Sequence, residues 1–113
     1  MNFDIFKDMF SAIWDLLCGL GRIIYSIILS FKNIVMFFKD PSRLALLNEN
    51  KNLLAISLKE KQSNGEYNVI NCLFDEKREK IISAERNSQG INTKYFDEET
   101  LQSFADKDMI ILK

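Results

Sequence analysis

The chain has 113 residues, 47% of them hydrophobic and 27% charged, with 15 Lys and Arg against 16 Asp and Glu. This apolar content and net charge of -1 exclude a disordered chain, and the faintly acidic balance argues against a generic nucleic-acid binder. Two cysteines cannot build a disulfide scaffold, and the lack of histidine removes the usual zinc ligand, the usual general base and every Ser-His or Cys-His nucleophile pair.

Residues 1–40 are much more apolar than the rest. Phe3, Phe10, Leu17, Ile24, Phe31 and Phe38 recur at heptad spacing, and Phe6, Ile13, Leu20, Ile27 and Ile34 follow each of the first five by three residues. Such periodicity predicts one long helix. Only Gly19 and Gly21 weaken it, each by about 1 kcal/mol against Ala. Asp4, Asp8, Ser11, Asp15, Gly19, Arg22, Ser26, Ser30 and Asn33 step by three or four and form one thin polar stripe along that helix. The remaining surface cannot stay in water.

Three covers are open to it. The helix can lie in a membrane interface with its stripe toward water. It can span the bilayer, since Leu20–Phe38 matches the ~20 apolar residues a span needs. Arg22 and Lys32 would then sit near the ends, where long side chains snorkel, and Ser26 and Ser30 would make a small-xxx-small contact. Or it can be the core of a soluble bundle. The acidic, aromatic start and the missing Ala-x-Ala site argue against a cleaved signal peptide. For a spanning helix, Lys39 and Arg43 place the C-terminal part in the cytoplasm.

Asp40-Pro41 is a cap followed by a first-turn proline, and predicts a short helix at residues 43–48. Leu53–Lys61 alternates as a half-buried strand. Asn64-Gly65 is a hairpin signal, with Tyr67–Phe74 as the return strand. A two-residue turn would oppose Ile56 to Leu73 and Ser57 to Cys72. Asp75–Lys80 reads as a charged turn, residues 80–85 as a third strand, and Gly90 as part of a loop. Asp97 caps a helix running to about Asp106, with Leu101, Phe104 and Ala105 inward. Met109–Leu112 reads as a last, internal strand. The expected fold is α+β: a long N-terminal apolar helix, residues 1–40, then a small domain, residues 41–113, with a three-stranded antiparallel meander, one helix and a C-terminal strand.

No catalytic, cofactor-binding or metal-binding set emerges. Asp75, Glu76 and Glu79 alternate with Lys77, Arg78 and Lys80 in a solvated turn. Asp97, Glu98 and Glu99 sit where acids favour a helix start. Cys72 reads as a small buried hydrophobe and Cys18 as a packing residue near the stripe. The function expected is non-enzymatic: a small membrane-associated protein, bacterial or phage-like in its Asn-, Ile- and Lys-rich usage. It self-assembles through the apolar helix at the cytoplasmic membrane and displays its α+β domain in the cytoplasm. The alternative is a soluble cytoplasmic oligomer or adaptor of the immunity-protein type, whose helix fills a bundle or a partner's groove. The expected partners are further copies of the chain and the lipid bilayer, or else a protein groove, and no nucleic acid.

Overall fold

The computed structural model describes residues 3–112. The apolar N-terminal third is not one helix. Helix α1 (Phe3–Gly19) stops at the two glycines. Gly21 takes φ +66°, a left-handed conformation that favours glycine, and the Arg22 N–H donates to the Leu17 carbonyl at 3.0 Å. The chain leaves this turn as strand β1 (Ile23–Leu29), Ile-Ile-Tyr-Ser-Ile-Ile-Leu. These β-branched and aromatic side chains suit a strand better than a helix interior. Ser30 is extended, and its hydroxyl accepts from the Asn33 N–H at 3.2 Å to start helix α2 (Phe31–Phe38). The polar stripe therefore does not exist as a stripe. Asp8, Ser11 and Asp15 lie on α1, Arg22 in the turn, Ser26 on β1, and Ser30 and Asn33 at the start of α2. Among the described residues, no helix is long and apolar enough to cross a membrane.

Helix α3 (Pro41–Glu49) begins as expected, with the Asp40 carboxylate accepting from the Ser42 and Arg43 N–H groups. Strands β2 (Leu53–Lys61) and β3 (Tyr67–Asp75) form the hairpin, but the register differs by one residue from the expected pairing: Ile56 opposes Cys72 and Ser57 opposes Asn71. The reason is the turn. Gln62 pairs with Glu66, so Ser63, Asn64 and Gly65 form a three-residue loop, and Gly65 takes φ +88°. This register puts Ile56 and Cys72 on one face of the sheet, and Ala55 and Leu73 on the other.

The third strand, β4 (Lys80–Ile81), is two residues long and pairs with the end of β3. After the short helix α4 (Ala84–Asn87) comes β5 (Gln89–Phe96), where a loop was expected. Helix α5 (Glu98–Phe104) buries Phe104 but exposes Leu101, and Ala105 lies beyond its end. Strand β6 (Met109–Ile111) pairs only with β2 and is an edge, not an internal strand. The fold is thus α+β, as expected, but the meander is part of a mixed six-stranded sheet in the order β1-β5-β3-β2-β6, with β4 beside β3. The β1–β5 pair is parallel and the others antiparallel.

Both faces of the sheet are covered. On one, Phe6 and Phe10 of α1 pack against Ile56, Leu58, Ile70, Cys72 and Phe74, with the Phe6 and Phe74 rings 4.8 Å apart. Burial there pushes the Cys72 thiol pKa up, while Cys18 is exposed. On the other, Ile34, Phe37 and Phe38 of α2, Leu47 of α3 and Phe104 of α5 cover Leu53, Ala55, Val69, Leu73, Ile91 and Phe96. Burial on two faces explains why β2 is buried beyond the half its alternation predicts.

Asp97 ties two elements together. It caps α5 by accepting from the Thr100 N–H at 2.9 Å and from the Thr100 hydroxyl, and it accepts from the Phe31 N–H at 3.3 Å where α2 starts. Burial alone would raise its pKa, but these hydrogen bonds outweigh burial and hold it below the ordinary carboxylate value. Because the folded pKa is depressed, the stabilisation is complete above the unfolded pKa and fades as pH falls through the folded one. Asp97→Ala is expected to lose about 1–2 kcal/mol at neutral pH. The deficit should shrink as both proteins are taken below about pH 4, as read by urea titration at several pH values.

Candidate functional site

Strand β1 forms one edge of the sheet. It pairs with β5 from Ile23↔Gly90 to Leu29↔Phe96, and among the described residues nothing pairs with its other side. Its position is fixed at both ends. The Gly21 turn sets its entry, and Leu29, buried beneath α2, sets its exit. In the middle, the ladder passes from Ser26↔Thr93 to Ile28↔Tyr95 without a partner for Ile27. There the Thr93 hydroxyl lies within donating reach of the carbonyls of Ile27 (3.3 Å) and Tyr95 (2.9 Å). The Ser26 hydroxyl donates to the Ile28 carbonyl at 2.7 Å, so this side chain is held by the strand's own backbone.

Four of the strand's other side chains, Ile24, Tyr25, Ile27 and Ile28, face solvent, while Leu29 is buried and Ile23 partly so. Tyr25 is 77% exposed and Ile27 66%, and Ile24, Ile28, Leu20 and the neighbouring Tyr95 are also exposed. Two shallow clefts flank the strand. One, of about 370 Å³, runs between β1 and α2 past Ile24, Leu29, Asn33 and Met36. The other, of about 360 Å³, is bordered by Tyr25, Ile27, Asn92 and Lys94. No residue from Ile23 to Leu29 is charged and none is proline. Native edges are usually blunted by lysine, proline, shortness or a covering loop. β1 has none of the first three and remains open.

The structure divides the expected apolar face in two. Phe6, Phe10, Leu17, Ile34 and Phe38 are buried inside the chain's own cores, and Ile13 and Phe31 are partly buried. Leu20, Ile24 and Ile27 are exposed at or beside the sheet edge. Phe3 falls in the first turn of α1, and its side chain lies outside the described residues. Tyr25, Ile28 and Tyr95 complete the exposed patch and are absent from the heptad reading, because the patch follows a strand and its neighbour instead of a helix face. Among the described residues, no group of three or more His, Cys, Asp or Glu could hold a metal ion. Within the acidic stretches 75–79 and 97–99, Asp75 and Asp97 are engaged locally: Asp75 accepts from the Lys77 and Arg78 N–H groups at 3.0 Å, and Asp97 caps α5.

No protein-family model, curated protein or solved structure matches the chain.

Proposed function

We propose that this chain is a non-enzymatic protein that works by associating with itself, through antiparallel pairing of β1 with β1 of a second copy across a two-fold axis. The observation that carries the reading is the open, uncharged and apolar edge of β1. An exposed strand edge presents a row of backbone donors and acceptors as well as side chains. Lipid would bury the side chains but leave those backbone groups without partners, at a cost of several kcal/mol each. A second strand satisfies both.

The second strand is argued to be another β1 on two grounds. Apart from Ser26, every residue of β1 is apolar and none is charged, so an antiparallel pair opposes uncharged residues in any register. The opposite edge of the sheet, β6, has only three residues and follows Lys107 and Asp108, so head-to-tail pairing would be short and beside charges. Pairing β1 with itself uses seven residues per copy and closes as a dimer instead of growing into a fibre. Leu20, Ile24, Tyr25, Ile27, Ile28 and Tyr95 at roughly 100 Å² each give a total burial on the order of 1,000 Å², the low end for a specific interface. The dimer should therefore be concentration-dependent. Self-assembly is retained from the expected function, but through a strand edge in place of a long helix. Lipid is the competing cover.

Sedimentation velocity over a hundredfold range of protein concentration tests this. The wild type is expected to pass from monomer to dimer, and Ile27→Lys to stay monomeric with the same far-UV spectrum and a nearly unchanged melting temperature. A wild type that stays monomeric and pellets with liposomes would assign the patch to lipid. Retained dimerisation in Ile27→Lys would exclude the β1 edge.

A further inference from the structure

A shallow cleft of about 400 Å³ lies where the α1–β1 turn meets α2, α3 and the start of β5, and two arginines, Arg22 and Arg43, line it. Arg43, in the first turn of α3, sits over the Phe37 ring, its guanidinium carbon 3.9 Å from the ring centre. It donates to the Phe37 carbonyl at 3.1 Å and the Arg86 carbonyl at 3.2 Å, while its buried Nε has no partner. Its only carboxylate partner among the described residues, Asp40, is 3.9 Å away and is already engaged in capping α3. Arg22 donates to the Glu85 carbonyl and, among the described residues, has no carboxylate within ion-pair distance.

The neighbouring polar side chains are also underused. Ser88 lines the cleft, is 2% exposed, and its hydroxyl has no partner. The Gln89 carbonyl oxygen accepts from Asn71 at 3.2 Å, which leaves its amide N–H groups to donate elsewhere. Two arginines therefore line one open cleft with spare donors and little negative charge. Burial lowers the Arg43 pKa, and although Asp40 opposes this, the charge of Arg22 adds to it. A desolvated cation with a like-charged neighbour is destabilising unless an anion compensates.

We propose that this cleft binds a phosphoryl group, gripped by Arg22 and Arg43 with Ser88 and Gln89 supplying further hydrogen bonds. The donors present outnumber what the two oxygens of a carboxylate can accept, and they suit the three or four oxygens of a phosphate. Arginine matches that geometry through its planar fork. The Phe37 ring and the Ile23 and Ile24 side chains border the same space and provide an apolar wall for the body of a small phosphomonoester. The hydrogen-bonding groups of the site lie outside β1, and Ile24 borders both surfaces.

Calorimetric titration of the full chain with inorganic phosphate and with phenyl phosphate, at constant ionic strength in chloride, tests the proposal. Saturable one-to-one binding of both is expected. Tighter binding of phenyl phosphate would mark a small phosphomonoester as the ligand, and equal binding would mark free phosphate. Arg22→Gln, at an exposed position, should weaken binding at least tenfold while leaving the melting temperature in chloride equal or higher, since a like charge beside Arg43 is removed. Ser88→Ala supplies an opposite sign. Removal of an unpartnered buried hydroxyl should leave the ligand-free melting temperature equal or higher, yet reduce phosphate affinity several-fold. Absence of saturable binding, or wild-type affinity in Arg22→Gln, would overturn the proposal. So would a Ser88→Ala variant with unchanged affinity.

Discussion

Phe104→Ala is expected to lower the unfolding free energy by about 3–5 kcal/mol, a large part of the 5–15 kcal/mol typical of a small domain. Helix α5 has only seven residues, too few to be stable alone. Its attachment rests on Thr100, at its first turn, and on Phe104, which is 1% exposed. The Phe104 ring lies 5.5 Å from that of Phe96 and beneath the Lys59 ammonium at 5.4 Å. Lys59 in turn bonds Asp108 at 2.9 Å, just before β6. One ring therefore connects α5, β5, β2 and the entry to the edge strand β6. Leu101 is the internal control. It occupies an apolar helical position that the sequence places inward, yet it is 54% exposed. Leu101→Ala should change stability by less than about 0.5 kcal/mol, as surface substitutions do. Urea titrations of both variants distinguish the cases. Similar losses from the two would mean that α5 is seated on a different face.

The parts of this fold that are legible in the sequence carry local chemical signals. Asp40-Pro41, Asn64-Gly65 and Asp97 each fix a boundary through their own hydrogen bonds or backbone angles, and helices α3 and α5 and the β2–β3 hairpin lie close to where those residues put them. Even there the hairpin register was out of reach, because Asn64-Gly65 suits a two-residue or a three-residue loop and only the Gln62–Glu66 pairing distinguishes them. The N-terminal third misleads for a different reason. Where nearly every residue is apolar, a heptad pattern is satisfied without a helix, and Ile23–Leu29 fits an a/d stripe as well as a strand. The parallel partner that settles the choice, β5, is 67 residues away, a distance no local pattern reports.

Strand β5 was hidden in turn by Gly90, whose role is packing and not a turn. A Cβ there would lie 2.5 Å from Ile23 Cδ1 and 3.3 Å from both Leu17 Cδ1 and Trp14 Cζ3, so the glycine lets α1 and β1 close onto the strand. The candidate site inherits both problems. Ile24 and Ile27 could be singled out as apolar, but that they share an open edge with Tyr25, Ile28 and Tyr95 follows only from the sheet order.

Phe10→Ala is expected to destabilise the chain by about 3–5 kcal/mol and to move the fluorescence of Trp14, the chain's single tryptophan, to longer wavelength. Phe10 is the residue at which two accounts of the N-terminal helix differ most. If the apolar stripe were an arm awaiting other copies, truncating Phe10 would weaken assembly and leave the monomer's stability unchanged. In the fold described, Phe10 is buried within the chain between α1 and the sheet. Its ring lies nearly parallel to Trp14, with centroids 6.1 Å apart and planes inclined by 6°. Alanine there would leave a cavity in the cluster that includes Leu58, Ile70 and Cys72, and α1 would be held by Phe6, Leu17 and the partly buried Met9 and Ile13. Trp14 would lose the ring it stacks on and gain water. Denaturant unfolding at low protein concentration isolates the monomer, and dimerisation of the variant, where it remains folded, should persist because β1 is untouched. Unchanged monomer stability with lost association would return the stripe to the role of an assembly surface.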